Sequence, residues 1–219
     1  MPEIWDCLQS PAANAALNMA LDEALLRTAA KRERPLLRVY SWQKPSVSFG
    51  YFQKFPAHLA DGHEVVRRPT GGGVVYHVED TTYTVVVPPG HSLHAMKTAD
   101  AYGALHKAVA AAFESRPALH QAPLRSPQGQ YECFQKPVQG DIVADGRKLA
   151  GGAQRRNQSG LLHQGSIAAK LSAEQIEGGF QEVLGVGFEK YELTDAERTL
   201  AGKLAREKYA TDAWNRHWR

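Results

Sequence analysis

Cysteine is scarce in this chain: only Cys7 and Cys133 occur among 219 residues, and no Cys-x-x-Cys pair is present. That spacing excludes a zinc site of the usual kind and offers no disulfide framework. The nine histidines are scattered, without a His-Glu-x-x-His run or a paired-histidine helix, so no metal centre is predicted. Long apolar runs are missing too. The stretch from Thr84 to Pro89 is far too short to cross a bilayer. Met1-Pro2-Glu3-Ile4-Trp5-Asp6 has neither the basic start nor the apolar centre of a signal peptide, which points to the cytoplasm. The net charge is +3, too small to argue for nucleic acid but compatible with an acidic protein partner.

What is present reads as an ordinary globular chain, 43% apolar and 22% charged, with no repeat, low-complexity tract or linker. Its length suits a single domain over residues 1–219 with an adequate core. The clearest helix is predicted over 12–31, where Leu17, Leu21, Ala24, Leu25 and Thr28 form one buried stripe. Strands are predicted at 36–40, 46–49, 64–68, 73–78 and 81–88, the last rich in β-branched residues. Helix 98–115 follows, then a proline-rich loop over 116–130. Strands return at 138–144, 147–155 and 160–169, the first two joined by an Asp145-Gly146 hairpin turn. Ser172 and Gln175 have capping-box spacing for the next helix, and a last helix runs from Asp195 to about Lys208. Clustered strands with helices around them predict an α+β domain on a mixed, mostly antiparallel sheet.

Two clusters stand out. In Arg67-Arg68-Pro69-Thr70-Gly71-Gly72-Gly73-Val74-Val75-Tyr76-His77, three adjacent glycines lose more backbone freedom on folding than any other residues would. A chain tolerates that where the backbone turns sharply or lies against something bulky. The bland reading is a glycine-rich hairpin with two solvated arginines. The sharper one is a ligand cradle between strands, with arginine forks suited to phosphate or carboxylate.

The second cluster spans Cys133-Phe134, Asp141, Gly146-Arg147-Lys148, Gly151-Gly152-Ala153-Gln154 and Leu162-His163-Gln164-Gly165-Ser166. A lone cysteine is often a small core hydrophobe. A nearby lysine would instead raise the thiolate fraction of Cys133, and Lys148 lies on the strand that could fold back towards it. Lys148 also fits an exposed hairpin lysine, and His163 fits a satisfied strand histidine.

Taken together, the clusters resemble the biotin/lipoate protein ligase and transferase superfamily. The matching residues are Asn18-Met19-Ala20-Leu21-Asp22, the arginine–glycine run from Arg67 to His77, Gly146 to Gln154, His163 to Ser166, and Lys208 to Asn215. The resemblance implies the class II aminoacyl-tRNA synthetase/biotin synthetase-like fold, with an acyl group held in a tunnel beside the glycine loop. By that resemblance Lys148 is the shared site residue, and Arg68, Thr70, Gly71, Gly72, Gly73, His77, Gly151, Gly152, Ala153 and His163 shape the substrate site.

Cys133-Phe134, upstream of the Gly-Arg-Lys segment, resembles the cysteine-dependent octanoyltransferase branch. That branch implies Cys133 as nucleophile and no cofactor. The donor implied is octanoyl-acyl carrier protein, and the acceptor a lysine of a lipoyl domain, on the glycine-cleavage H protein or a dehydrogenase E2. Other readings are an amidotransferase between lipoyl-bearing proteins, an ATP-dependent lipoate ligase, and a non-catalytic acyl-binding module. His77 is followed by Val78 rather than the acidic residue frequent in ligases, and the chain has no room for their accessory domain; both lean away from adenylation.

Overall fold

The computed structural model describes residues 1–121 and 137–217. Cys133 and Phe134 therefore lie outside the described residues. In chain order the elements are β1 (Glu3–Gln9), α1 (Ala15–Thr28), β2 (Leu36–Tyr40), β3 (Ser46–Phe49), β4 (Glu64–Arg67), β5 (Val74–His77), β6 (Thr81–Val87), α2 (Ser92–Ala95), α3 (Thr98–Ala111), β7 (Ala118–Leu119), β8 (Ile142–Ala144), β9 (Arg147–Asn157), β10 (Gly160–Ile167), α4 (Ala173–Leu184), β11 (Val186–Lys190), α5 (Asp195–Leu204) and α6 (Asp212–Asn215). A π-helical turn, Ala205–Tyr209, extends α5.

The large sheet runs β11-β1-β2-β6-β10-β9-β8-β7, and a small one runs β4-β3-β5. In the large sheet β1 is parallel to both neighbours, and every other pairing is antiparallel. The expected mixed, mostly antiparallel sheet is what forms.

Helices cover both faces of that sheet, and strand alternation divides the core between them. Leu37, Val39, Tyr83, Val85 and Val87 pack with Leu105 and Val109 of α3 and Ile176 and Phe180 of α4. The intervening Leu36 and Val86 join Leu25 and Leu26 of α1 on the other face. A strand covered on both sides reads as a continuous apolar run, which is why Val85-Val86-Val87 does not alternate.

Local signals fixed several ends. Asp145 and Gly146 both have positive φ, 49° and 72°, as the two central residues of a type I′ turn require. Ser172 and Gln175 form the expected capping box of α4. Helix α1 starts three residues later than its periodicity suggests, because the Asn14 side chain accepts from the Leu17 N–H and caps it.

Several expectations change, and the loop expected over 116–130 holds the short strand β7, paired with β8. Helix α1 is buried far beyond one stripe, since α5 and both sheets surround it. Residues 138–141 form a turn, and the strand begins only at Ile142. Strands β1 and β11 went unread because their pairing joins Glu3 to Val186, far apart in sequence. No helix among the described residues is long and apolar enough to cross a membrane.

Candidate active site

The glycine run folds between β4 and β5 and is held from within by Arg68. Its Nη2 donates to the Gly71 carbonyl at 2.9 Å and the Gly73 carbonyl at 2.8 Å. Gly72 adopts φ +89°, a left-handed conformation that suits glycine. The loop lies so close to Gly50 that a Cβ there would sit 2.0 Å from the Gly72 carbonyl oxygen.

Arg68 also begins a buried chain. Its Nη1 donates to Ser48 Oγ at 2.9 Å, Ser48 Oγ lies 2.6 Å from His77 Nε2, and His77 Nδ1 lies 2.7 Å from Asp80 Oδ2. The serine–histidine–aspartate order is also that of a hydrolytic triad. Here the serine lone pair is engaged by Arg68, so the chain joins a guanidinium to its counter-charge and braces the loop. Burial pulls the His77 pKa down despite Asp80, which leaves Nε2 as an acceptor for the Ser48 hydroxyl. Trp42 stacks on the His77 ring with centroids 4.0 Å apart.

Arg67 points elsewhere. It donates to the carbonyls of Tyr51 and Gln53 and to those of Trp214, Asn215 and His217, tying the C-terminal segment to the loop.

Strands β9 and β10 form the opposite wall. Gly151 and Ala153 share a face with Gln164 and Ser166, their cross-strand partners. This face meets the loop: a Cβ on Gly72 would lie 3.8 Å from Ala153 Cβ. A narrow cavity lies between, lined by Arg68, His77, Gly151, Gly152 and Ala153 among the residues singled out in the sequence. Met19, Tyr40, Trp42 and Val75 add its apolar surface. Thr70 closes one side through its hydroxyl, which donates to Gln164 Oε1 at 2.7 Å. Gln164 Nε2 then donates to Asp22 Oδ2 at 2.6 Å. Asp22 is fully buried against Arg38, 2.6 Å away.

Lys148 is not an exposed hairpin lysine. Its side chain is 2% exposed, and Nζ lies 2.7 Å from Asp141 Oδ2. The ammonium rests over the cavity wall, since a Cβ on Gly151 would fall 2.4 Å from Nζ and 3.0 Å from Asp141 Oδ1. Only glycine leaves that space. Asp141 Oδ2 also accepts the Val138 N–H at 2.7 Å, so the 138–141 turn presents the carboxylate to the lysine.

His163 faces the other way. It lies behind Gly152, where a Cβ would meet its Nε2 at 2.8 Å, and its Nε2 is 3.0 Å from the Tyr83 hydroxyl. Burial drives its pKa well below the usual histidine range, and His106 adds to the effect. His163 thus supports Gly152 from behind and does not line the cavity. Tyr102, beside it, was missed altogether: it lies in an alanine-rich helix, and only its four-residue spacing to His106 hinted at a shared face.

A wider cleft of about 940 Å³ opens elsewhere, between β1, β11 and α5, and includes Cys7. None of the motif residues around Lys148 or the glycine loop reaches it. Burial raises the Cys7 thiol pKa far above its ordinary value, which suits an inert core cysteine.

Known proteins resemble this chain in sequence and in fold. The sequence profile of the lipoyl protein ligase A/B catalytic domain matches residues 14–187. Octanoyltransferase LipM of Anoxybacillus flavithermus is 30% identical over 273 aligned positions, covering 97% of this chain and 98% of that protein. Octanoyltransferase LipM of Oceanobacillus iheyensis is 37% identical over 190 positions, covering 83% and 70%. Among solved structures, Ta0514 of T. acidophilum with bound lipoic acid superposes with a TM-score of 0.79 at 23% identity, over 99% of this chain and all of that one. That likeness speaks for the fold, which is the class II synthetase-like one. On the profile match and the near full-length relatives, the chain belongs to the lipoyl protein ligase A/B catalytic domain family.

Proposed function

We propose that this chain is an octanoyltransferase of lipoate biosynthesis, which moves an octanoyl group from acyl carrier protein to a lysine of a lipoyl domain through a Cys133 thioester. The observation that carries the reading is the ammonium of Lys148, buried against Gly151 at the wall of a cavity that Arg68 and Val75, which flank the three glycines, line from the other side. Relatives named octanoyltransferase over nearly the whole chain support it.

In the first step the Cys133 thiolate attacks the thioester carbonyl and the carrier thiol leaves. In the second, the acceptor lysine amine attacks the Cys133 thioester, forms an amide and releases the cysteine. Splitting the transfer in this way is covalent catalysis with ping-pong kinetics. Thioester to amide is downhill, so ATP is not consumed. Lys148 would stabilise the thiolate or the oxyanion, and one such contact contributes about 3 kcal/mol in the transition state.

The cavity holds only about 30 Å³, too little for an eight-carbon chain, so binding displaces lining side chains. Met19, unbranched and flexible, is the most adaptable of them. Seven carbons beyond the carbonyl are worth on the order of 5 kcal/mol at ~0.8 kcal/mol per buried methylene.

Intact mass after incubation with octanoyl-acyl carrier protein tests the reading. Wild type should gain one octanoyl group and Cys133→Ala none. Equal labelling of the two would remove the cysteine mechanism, and strict dependence on ATP and Mg²⁺ would establish a ligase instead.

A further inference from the structure

Tyr102 belongs to none of the sequence motifs, yet its hydroxyl touches both the Asp141 carboxylate and the backbone of Gly152. It donates to Asp141 Oδ1 at 2.6 Å and accepts the Gly152 N–H at 2.9 Å. Asp141 holds Lys148 through its other oxygen. One hydroxyl therefore joins the carboxylate that orients the ammonium to the strand segment that lines the cavity.

Helix α3 reinforces this contact one turn later. His106 lies four residues on, so its side chain shares the face of Tyr102. Its ring packs on Tyr102 with centroids 4.1 Å apart, and its Nδ1 donates to the Gly140 carbonyl at 2.7 Å. Gly140 lies under the tyrosine, where a Cβ would fall 2.9 Å from the ring. Helix α3 thus grips the 138–141 turn at two points, one on a backbone carbonyl and one on the Asp141 side chain. Burial, and then the charge of Asp141, raise the Tyr102 pKa well above that of a free phenol, so the hydroxyl keeps its proton.

We propose that Tyr102 is a positioning residue for acyl transfer, fixing Lys148 through Asp141 against the Gly151–Gly152 wall. This rests on the reading of Lys148 as the group that stabilises the transferring acyl centre.

The test is transfer kinetics of the full chain with octanoyl-acyl carrier protein and a lipoyl domain. Tyr102→Phe keeps the ring against His106 and Gly140 and removes only the hydrogen bonds of the hydroxyl. Its kcat should fall roughly 10- to 100-fold, as for other supporting-shell residues, with KM for the donor little changed. In the Lys148→Ala background the same substitution should have no further effect, because the hydroxyl acts only through the lysine. Tyr102→Gln, which can donate and accept, should retain more kcat than Tyr102→Leu. Wild-type kcat in Tyr102→Phe overturns the proposal, as does a full multiplication of losses in the double variant or equal loss in Tyr102→Gln and Tyr102→Leu. Should Lys148→Ala alone transfer at the wild-type rate, the reading of Lys148 fails first, and that outcome is distinct from the others.

Discussion

The ammonium of Lys148 and the carboxylate of Asp141 meet at 2.7 Å with both side chains shut off from solvent. Burying two charges is costly, and their attraction offsets that cost only while both remain. The pair is thus a poor source of net stability and a strong constraint on where the ammonium sits.

Removing one partner exposes that constraint. Asp141→Ala should destabilise the fold by about 3–5 kcal/mol, the usual cost of leaving a buried charge uncompensated. Asp141→Asn, which keeps the shape, should cost less in stability but still abolish most acyl transfer. Urea unfolding alongside the mass assay checks both, and unchanged stability in Asp141→Ala would contradict the buried pair.

Gly151→Ala addresses the same geometry from the strand. The new Cβ would fall 2.4 Å from Lys148 Nζ, the far end of a flexible side chain. The lysine should move and the fold survive, so a stability loss of about 1–3 kcal/mol is expected, with transfer reduced at least 100-fold. Full activity in this variant would show that Lys148 does not act from the observed position.

Arg67→Ala should release the C-terminal segment. Its guanidinium serves the carbonyls of Trp214, Asn215 and His217 on one side and of Tyr51 and Gln53 on the other. Hydrogen bonds to a charged group are worth about 1.5–3 kcal/mol each, so several kcal/mol should go with them. Limited proteolysis should then cut after the π-helical turn, at sites that wild type protects.

Three buried histidines set the acid limb of stability. Burial lowers the pKa of His77, His106 and His163, that of His106 to about 4 from 6.5. The unfolded chain takes up those protons near pH 6.5 and the folded chain does not. Stability is therefore fully present above that pH and falls as pH drops towards 4, by ~1.4 kcal/mol per pH unit for each histidine that stays neutral. Denaturant unfolding at pH 7, 6 and 5 should show the decline, and it should be shallower in His106→Gln. A flat profile would mean that these histidines accept protons in the folded state.

Much of the fold was legible in sequence because its signals are local. Asp145-Gly146 names its turn by the φ values it tolerates, Ser172 and Gln175 name a helix start, and the β-branched run Val85-Val86-Val87 names a strand. The glycine run and the Lys148 segment likewise carry the family pattern in order along the chain. Strands β1 and β11 escaped because each is made a strand by a partner far away in sequence.

The sequence by itself thus determined the Asp145-Gly146 turn, the cap of α4, most strands and the family to which the chain belongs, since each depends on neighbouring residues. Only the tertiary structure decided the site. It set Lys148 against Asp141, put Tyr102 between Asp141 and Gly152, turned His163 to the back of the wall, and assigned Arg67 and Arg68 to backbone carbonyls. Those outcomes depend on which sheet face a residue takes and which distant group can satisfy a buried charge, and no local pattern encodes either.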